Sequence, residues 1–377
     1  PSNYPLFLAG VQILQALVAG NAVVWKPAPG CGDVSQKFTR LLLDSGVPAD
    51  LLCQLPDTLE AGVRLADSQI DKLVFTGGFR NGTHVLENLS RRAVPAIVEL
   101  SGSDPVIVCV DADVRLVAKA LHFGMTLNHG RTCMAPRRVF VPVELLPAVE
   151  AAVREIFSSS DLGTYSGAGA GEAVRLSPLL RDALERGATL LCGDVSDSGI
   201  KFPCVLSDVS ENMEVLSADL FASVAFLIPV ESEEAAVAGA SRGGFALGAS
   251  VFSNDQKRAE RVSMRLKAGL VSVNDLIVPS ADPRVPFGGS GKSGYGVTRG
   301  GEGLLSMTRG KVLQVRSGGM TRHLESGDLD LGLAGALARV LHAGGVRAKL
   351  SAFMKLCRMA RRHPTKVKKS AISEDSI

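Results

Sequence analysis

Short apolar runs alternate along the chain with stretches in which apolar residues recur every three or four positions, and this alternation predicts the architecture. Residues 22–25 form an apolar run closed by Lys26-Pro27. The helix pattern that follows carries Phe38, Leu41 and Leu42 on one face, with Gly46 where a helix C-terminal glycine belongs. Residues 51–55 read as a strand, 59–65 as a helix, and 72–75 as a further strand stopped by Thr76-Gly77-Gly78. Strands follow at 96–100 and 106–110, then a helix over 113–128 and a strand at 138–141. Short buried strands separated by helices of about ten residues imply parallel βαβ units and an α/β fold. A second mixed stretch, 188–311, holds strand patterns at 190–192, 224–229, 248–252 and 270–273 and a helix pattern at 256–267. Between the two stretches, residues 158–171 are rich in Ser and Gly and read as a flexible connection.

The 377 residues suffice for two ordinary domains. With 46% hydrophobic and 21% charged residues, the composition is that of a soluble chain with a sizeable core, and it excludes a disordered or collagen-like protein. Lys and Arg number 41 against 38 Asp and Glu, a net charge of +3 that gives no reason to expect nucleic acid as the main partner. The seven cysteines, at 31, 53, 109, 133, 192, 204 and 357, lack C-x-x-C spacing and suggest neither a disulfide framework nor a metal cluster. A reducing, cytoplasmic compartment is the simplest reading. No apolar run nears the roughly 18–20 residues of a membrane span. No signal peptide is apparent, and a start at Pro1 reads as the interior of a longer protein, so the chain is expected to be a fragment.

Chemistry could reside at several places. Cys133 ends the segment Asn128-His129-Gly130-Arg131-Thr132-Cys133, where a glycine three positions earlier lets the backbone turn tightly beside a nucleophile. A buried structural cysteine is the competing reading, since free Cys is among the most buried residue types. Glu99 closes a strand pattern, and the carboxyl end of a strand in an α/β sheet is where ligands and a general base tend to sit. A solvated strand-end Glu is the plain alternative. Gly77, Gly78 and Gly82 follow a strand and open a helix, so backbone N–H groups could face a pyrophosphate, although the spacing is not G-x-G-x-x-G. The glycine-rich run from Pro286 to Gly294 fails the P-loop test, because Tyr295 stands where Lys is required.

Each of these signals is weak alone, but their order is specific. Asn3-Tyr4-Pro5, Lys26-Pro27, Phe75-Thr76-Gly77, Glu99-Leu100-x-Gly102, Cys133, Asp219-Leu220-Phe221, Asn274 and Pro286-Phe287-Gly288-Gly289 together resemble the aldehyde dehydrogenase superfamily over about residues 1–316. The flanking text agrees, as in AGNAVVWKP and PFGGSGKSGYG. The resemblance implies a Rossmann-like cofactor domain plus a catalytic α/β domain. It divides the chain into a partial dinucleotide-binding domain (1–101), a catalytic domain (102–304), a bridging or oligomerisation strand (305–316) and a basic C-terminal extension (317–377). It implies Cys133 as nucleophile, Glu99 as the base that activates water, and the Asn3 amide with the Cys133 N–H as oxyanion donors. Lys26, Thr76, Gly77, Gly78, Gly82, Asp219 and Phe221 match cofactor-binding positions for NAD or NADP. Phe287 matches an aromatic near the substrate channel, and Asn274 a structural or substrate-proximal position. The implied partner is a small-molecule aldehyde, with no resident metal and a homo-oligomer when the protein is complete.

Some positions depart from the family pattern. Pro29 stands where NAD-preferring members often carry Glu, which leaves the NAD versus NADP choice open. Asp219 replaces a usual Glu, Ser101 the first of two glycines after Glu99, and Phe221-Ala222-Ser223 a Phe-Gly-Pro. The strand before Asn3 and an oligomerisation hairpin are expected to lie outside the chain. Two other readings therefore stay open: a CoA-acylating aldehyde dehydrogenase, and a non-catalytic nucleotide-binding or assembly subunit. Residues 339–369 carry ten basic residues and no acidic one, and Val346, Leu350, Phe353 and Cys357 recur at helical spacing. A solvated or docked cationic helix is preferred there over one that contacts an anionic membrane.

Overall fold

The computed structural model describes residues 1–158, 170–197, 199–315 and 331–362. The chain divides into two compact units, Pro1–Arg309 and Gly310–Ile377. The expected boundary at 101/102 is not one of these divisions and falls inside the first unit.

In the first unit, α1 (Phe7–Val18) leads to β1 (Val23–Trp25), α2 (Gly32–Asp44), β2 (Leu52–Gln54), α3 (Leu59–Asp67), β3 (Leu73–Thr76), α4 (Phe79–Ser90) and β4 (Ala96–Glu99). Capping fixes several of these limits. Gly46, at φ +100°, follows α2, and the next residue, Val47, donates back to the Leu42 carbonyl at 3.1 Å. The Thr58 hydroxyl accepts from the Ala61 N–H and starts α3. β1 and β2 form one parallel pair. β3 and β4 form another, extended by a short antiparallel strand, β14 (Gly294–Tyr295), in which Gly294 faces Glu99. The two small sheets share no strand pairing.

The larger sheet is built from β5 (Asp104–Val108), α5 (Val114–Thr126), β6 (Pro136–Pro142), α6 (Leu146–Phe157), α7 (Ala170–Glu185), β7 (Thr189–Ser196), β8 (Gly199–Ser207), β9 (Val224–Val230), α8 (Glu233–Ala240), β11 (Gly248–Phe252), α9 (Gln256–Ser263) and β12 (Leu270–Val273). Its order is β12-β11-β5-β6-β9-β8-β7, parallel except for the β7–β8 hairpin. Alternate residues of each strand serve opposite faces. Val106, Val108, Val139 and Val141 pack with Val117, Leu121, Met125 and Val153 of α5 and α6. Ile107, Phe140, Phe226 and Ile228 pack with Leu176, Leu180, Val237 and Val262 of α7, α8 and α9. A parallel sheet covered on both faces explains why its strands read as continuous apolar runs. The two-residue strands β10 (Phe245–Ala246) and β13 (Ser290–Gly291) pair with each other, and α10 (Gly300–Ser306) follows β14.

The strand expected at 106–110 begins two residues earlier, at Asp104, and the helix expected to reach 267 stops at Ser263. β8 had no counterpart in the sequence pattern, because Pro203 interrupts it. Gly193 of β7 lies within a register shift opposite that proline, at φ +87°, where a Cβ would meet the Pro203 carbonyl oxygen at 2.5 Å. The strand expected over 305–316 does not form among the described residues: 305–306 end α10, and 307–315 have no regular structure. The Ser/Gly-rich connection lies mostly outside the described residues. In the second unit, α11 (Leu331–His342) and α12 (Val346–Arg362) form a helical pair, and α12 is the cationic helix that the 346–357 spacing predicts. Among the described residues no helix is long and apolar enough to cross a membrane.

Candidate active site

β4 ends at Glu99, β5 begins at Asp104, and the four residues between them carry the chain from the small sheet to the large one. Cys133 lies three residues before β6, after a turn in which Asn128, His129 and Gly130 all have positive φ, at 50°, 55° and 66°. A Cβ on Gly130 would meet the Ser223 Cα at 2.5 Å, so glycine is required by contact as well as by conformation. Contact alone requires glycine at Gly102, where a Cβ would lie 2.2 Å from the Cys133 carbonyl oxygen. These approaches bring two distant segments together: the half-buried Cys133 thiol donates to Glu99 Oε1 at 3.6 Å.

Glu99 is 3% exposed, and its Oε2 has no hydrogen-bond partner among the described residues. Burial pushes its carboxyl up from the ordinary range, partly opposed by the Arg299 guanidinium. Burial, then the negative groups of Glu99 and Asp104, push the Cys133 thiol well up. Glu99 is thus placed to accept the thiol proton. Asn3 reaches the same place. Its side-chain amide donates to the Arg131 carbonyl at 3.2 Å, its own carbonyl accepts from the Asn128 amide at 3.0 Å, and the neighbouring Tyr4 hydroxyl meets that of Thr132 at 2.9 Å.

The dinucleotide positions surround the start of α4. Gly77 donates to the Glu99 carbonyl at 3.1 Å, and the Gln12 amide donates to the Thr76 hydroxyl at 3.3 Å. Gly82 packs so tightly that a Cβ would meet Leu100 Cδ2 at 2.4 Å. Gly78 caps α4 without a side chain, and a Cβ there would find nothing nearer than Asp219 Oδ2 at 3.8 Å. This glycine-capped helix start, whose Phe79 N–H is met by the Ser101 hydroxyl, fits a pyrophosphate through its other first-turn N–H groups. Lys26 lies over Gly62 of α3, where a Cβ would stand 3.5 Å from its Cδ; burial lowers its ammonium, offset by Asp57. Two of the departures from the family pattern meet here: the Ser101 hydroxyl donates to Asp219 Oδ2 at 2.6 Å and accepts from Phe79 N–H at 3.2 Å. Glu172 of α7 accepts from the Phe221 N–H at 2.8 Å, and Arg175 donates to the Asp219 carbonyl, so α7 holds this loop.

Phe287, 2% exposed, lies in the same apolar cluster against which Cys133 packs. Asn274 stands apart from the Glu99–Cys133 pair. Its amide accepts from the Ser253 N–H at 3.0 Å and donates to the Ser253 carbonyl at 2.9 Å, tying the ends of β11 and β12. Of its two expected roles, this geometry is the structural one.

Sequence reasoning passed over three arginines and an aspartate. Arg137, 1% exposed, donates to the carbonyls of Gly130, Ala222 and Val224, which locks the turn before Cys133 to β9. Arg138 donates to the carbonyls of Ser103, Gly239, Ala240 and Arg242, and burial lowers its guanidinium to about 10. Two adjacent arginines opening a buried strand were the available signal, since such charges must find partners. Arg299, 4% exposed, lies over the rings of Phe287 and Phe7 at 4.4 and 5.0 Å. Asp104 accepts from the Gly248 N–H at 3.2 Å, and burial pushes its carboxyl up to about 7.

Asp104 yields a stability prediction. An unfolded Asp titrates near 3.9, so the folded chain keeps a proton that the unfolded chain has already released. Its contribution favours folding in acid and is lost as pH rises from about 4 to about 7, on the order of 4 kcal/mol. Asp104→Asn keeps an acceptor for Gly248 and should flatten the fall in melting temperature over that window. A variant whose melting temperature follows the parent's pH profile would contradict it.

Comparison with known proteins identifies the family. Residues 1–313 match the family model described as the aldehyde dehydrogenase family. A 4,4'-diapolycopene aldehyde oxidase of a Methylomonas species is 30% identical over 82% of this chain and 59% of its own length. The NADP-dependent glyceraldehyde-3-phosphate dehydrogenase of Bacillus halodurans C-125, solved with NADP, is 33% identical, with a TM-score of 0.75 over 82% of this chain and 66% of that one. An aldehyde dehydrogenase of Mycobacterium tuberculosis, solved with NAD+, is 27% identical, with a TM-score of 0.74 over 81% and 66%. The chain thus spans between about three fifths and two thirds of the length of these proteins.

Proposed function

The chain belongs to the aldehyde dehydrogenase family, and from that premise we propose that it oxidises an aldehyde to a carboxylic acid with NAD+ or NADP+ through an acyl group carried on Cys133. The observation that carries this reading is the 3.6 Å contact between a thiol and a buried carboxylate whose second oxygen has no hydrogen-bond partner among the described residues.

Glu99 takes the thiol proton, and Cys133 Sγ forms a bond to the aldehyde carbon. The carbonyl oxygen becomes an oxyanion beside the Asn3 amide and the Cys133 N–H, the expected donors. A bound nicotinamide supplies the two-electron acceptor for the hydride that leaves this carbon. Lys26, Thr76, Gly77, Gly78, Gly82, Asp219 and Phe221 would hold the dinucleotide, with its pyrophosphate at the glycine-capped start of α4. Glu99 passes the thiol proton to solvent before the thioester on Cys133 is hydrolysed. It then accepts a proton from water as the water oxygen bonds to the acyl carbon, and the carbon–sulfur bond breaks to leave a Cys133 thiolate that takes this proton back from Glu99. Phe287 contributes an apolar wall to the substrate side, and Asn274 holds the framework.

A base buried beside the thiol favours water over CoA as the acyl acceptor. The departures at Ser101 and Ala222 do not by themselves favour a non-catalytic subunit, because each has a partner: Ser101 binds Asp219, and the Ala222 carbonyl accepts from Arg137. The finer readings belong to the same proposal: a small aldehyde as substrate, no nucleic acid partner, a cytoplasmic location, a homo-oligomer of the complete protein, and a basic C-terminal helix that is solvated or docked. The test is formation of reduced nicotinamide by the chain with a panel of aliphatic and aromatic aldehydes and either NAD+ or NADP+. Aldehyde-dependent reduction without CoA is expected. Dinucleotide binding without turnover would favour the binding subunit, and turnover that requires CoA would favour the acylating enzyme.

A further inference from the structure

Arg299 combines three features that rarely coincide. Its backbone sits at φ 66°, ψ 171°, a region that is essentially reserved for glycine. Such a conformation persists only where its surroundings over-determine it, and here Gln15 of α1 does so. The Gln15 side-chain oxygen accepts from the Arg299 N–H at 3.0 Å, and its amide donates to the Gly300 carbonyl at 3.0 Å. One residue earlier, Thr298 pairs with Phe287 through two 2.8 Å backbone hydrogen bonds. The side chain is buried yet charged. The guanidinium lies over the Phe287 and Phe7 rings and donates to the Ser280 carbonyl. Among the described residues no carboxylate forms an ion pair with it, and the groups its charge acts on are Glu99 and Cys133. The segment that delivers it is anchored to the same strand as the catalytic base, since Gly294 of β14 pairs with Glu99.

We propose that Arg299 is a positioning residue: a fixed counter-charge against which the buried Glu99–Cys133 pair can hold a negative charge while the thiol is activated. The inference rests on the reading of Cys133 as nucleophile and deepens it. An unpaired anion in a buried site is costly, and a guanidinium held by aromatic faces offsets that cost without forming an ion pair that would consume the base. The other charged side chain facing the pair is Asp104 at the start of β5, which opposes thiolate formation. A strained backbone tolerated in order to hold one buried charge is otherwise without a role in this fold.

The test is the pH dependence of iodoacetamide alkylation at Cys133 in the full chain, read peptide by peptide by mass spectrometry, for the parent, Arg299→Gln and Arg299→Lys. Exposed Cys53 serves as internal standard. The proposal predicts that Arg299→Gln moves the Cys133 midpoint upward by about one pH unit, while Arg299→Lys keeps the parent midpoint. An unchanged midpoint in Arg299→Gln would overturn it. So would an equal shift in Arg299→Lys, which would make the effect one of packing. Should Arg299→Gln open the fold, seen as labelling of buried Cys109 and Cys204, Arg299→Met, which still fills the space between the rings, takes its place with the same two outcomes. Alkylation requires neither aldehyde nor dinucleotide. A chain that oxidises no aldehyde would therefore refute the proposed function while leaving this result to stand or fall separately.

Discussion

Cys133→Ala should lower aldehyde oxidation by at least about a thousandfold while leaving dinucleotide binding nearly unchanged. The reason is the order of events. An aldehyde gives up hydride only after a nucleophile has added to its carbon, and the Cys133 sulfur is the group that Glu99 is placed to deprotonate. The substitution removes that atom and little else, because the turn that carries it is fixed independently by Arg137 and by the contacts of Gly102 and Gly130. Dinucleotide affinity, measured by calorimetry, should stay within a factor of a few of the parent. Turnover above a few per cent of the parent would show that the chemistry lies elsewhere.

Glu99→Gln should separate the two halves of the reaction. The amide cannot take a proton from water, so hydrolysis of the thioester should slow by roughly a hundredfold or more. Rapid mixing should then show a burst of reduced nicotinamide, slower than in the parent because Glu99 also takes the thiol proton, followed by a still slower steady state. The pH profile supplies a second readout. Because burial raises the Glu99 carboxyl, parent activity should climb with pH through a midpoint above the ordinary carboxylate range, and the variant should lack that limb. Loss of the burst itself would assign Glu99 chiefly to thiol activation.

The local pattern carried much of the fold because both faces of the large sheet are covered. Strands such as Gly248–Phe252 and Val224–Val230 are apolar throughout and stand out from the amphipathic helices between them. β8 was hidden because its proline sits in a register shift, where residues 202–204 of β8 stand opposite Gly193 alone in β7, a pairing that nothing in the segment itself reveals. The site was legible only as an ordered set. Cys133 alone read better as a structural thiol, and Glu99 equally well as a solvated strand end. The contact between them depends on Gly102 and Gly130, whose necessity appears only when backbones 31 and 93 residues apart in sequence approach: Gly102 against Cys133, Gly130 against Ser223. Arg137, Arg138 and Arg299 were passed over for the same physical reason. A buried arginine satisfied by distant carbonyls or aromatic faces looks like any other arginine in sequence. Asn274 shows the reverse case, a position whose two expected roles were separated only by the Ser253 backbone groups that its amide holds.

The most direct measurement is the mass of the Cys133 peptide from Glu99→Gln quenched in the first turnover with aldehyde and oxidised dinucleotide. The account predicts an added mass equal to the acyl group of the aldehyde supplied, on Cys133 and on no other cysteine, absent when dinucleotide is omitted and absent in Cys133→Ala. Formation of reduced nicotinamide with Cys133 unmodified, or with the acyl group on another residue, would contradict it.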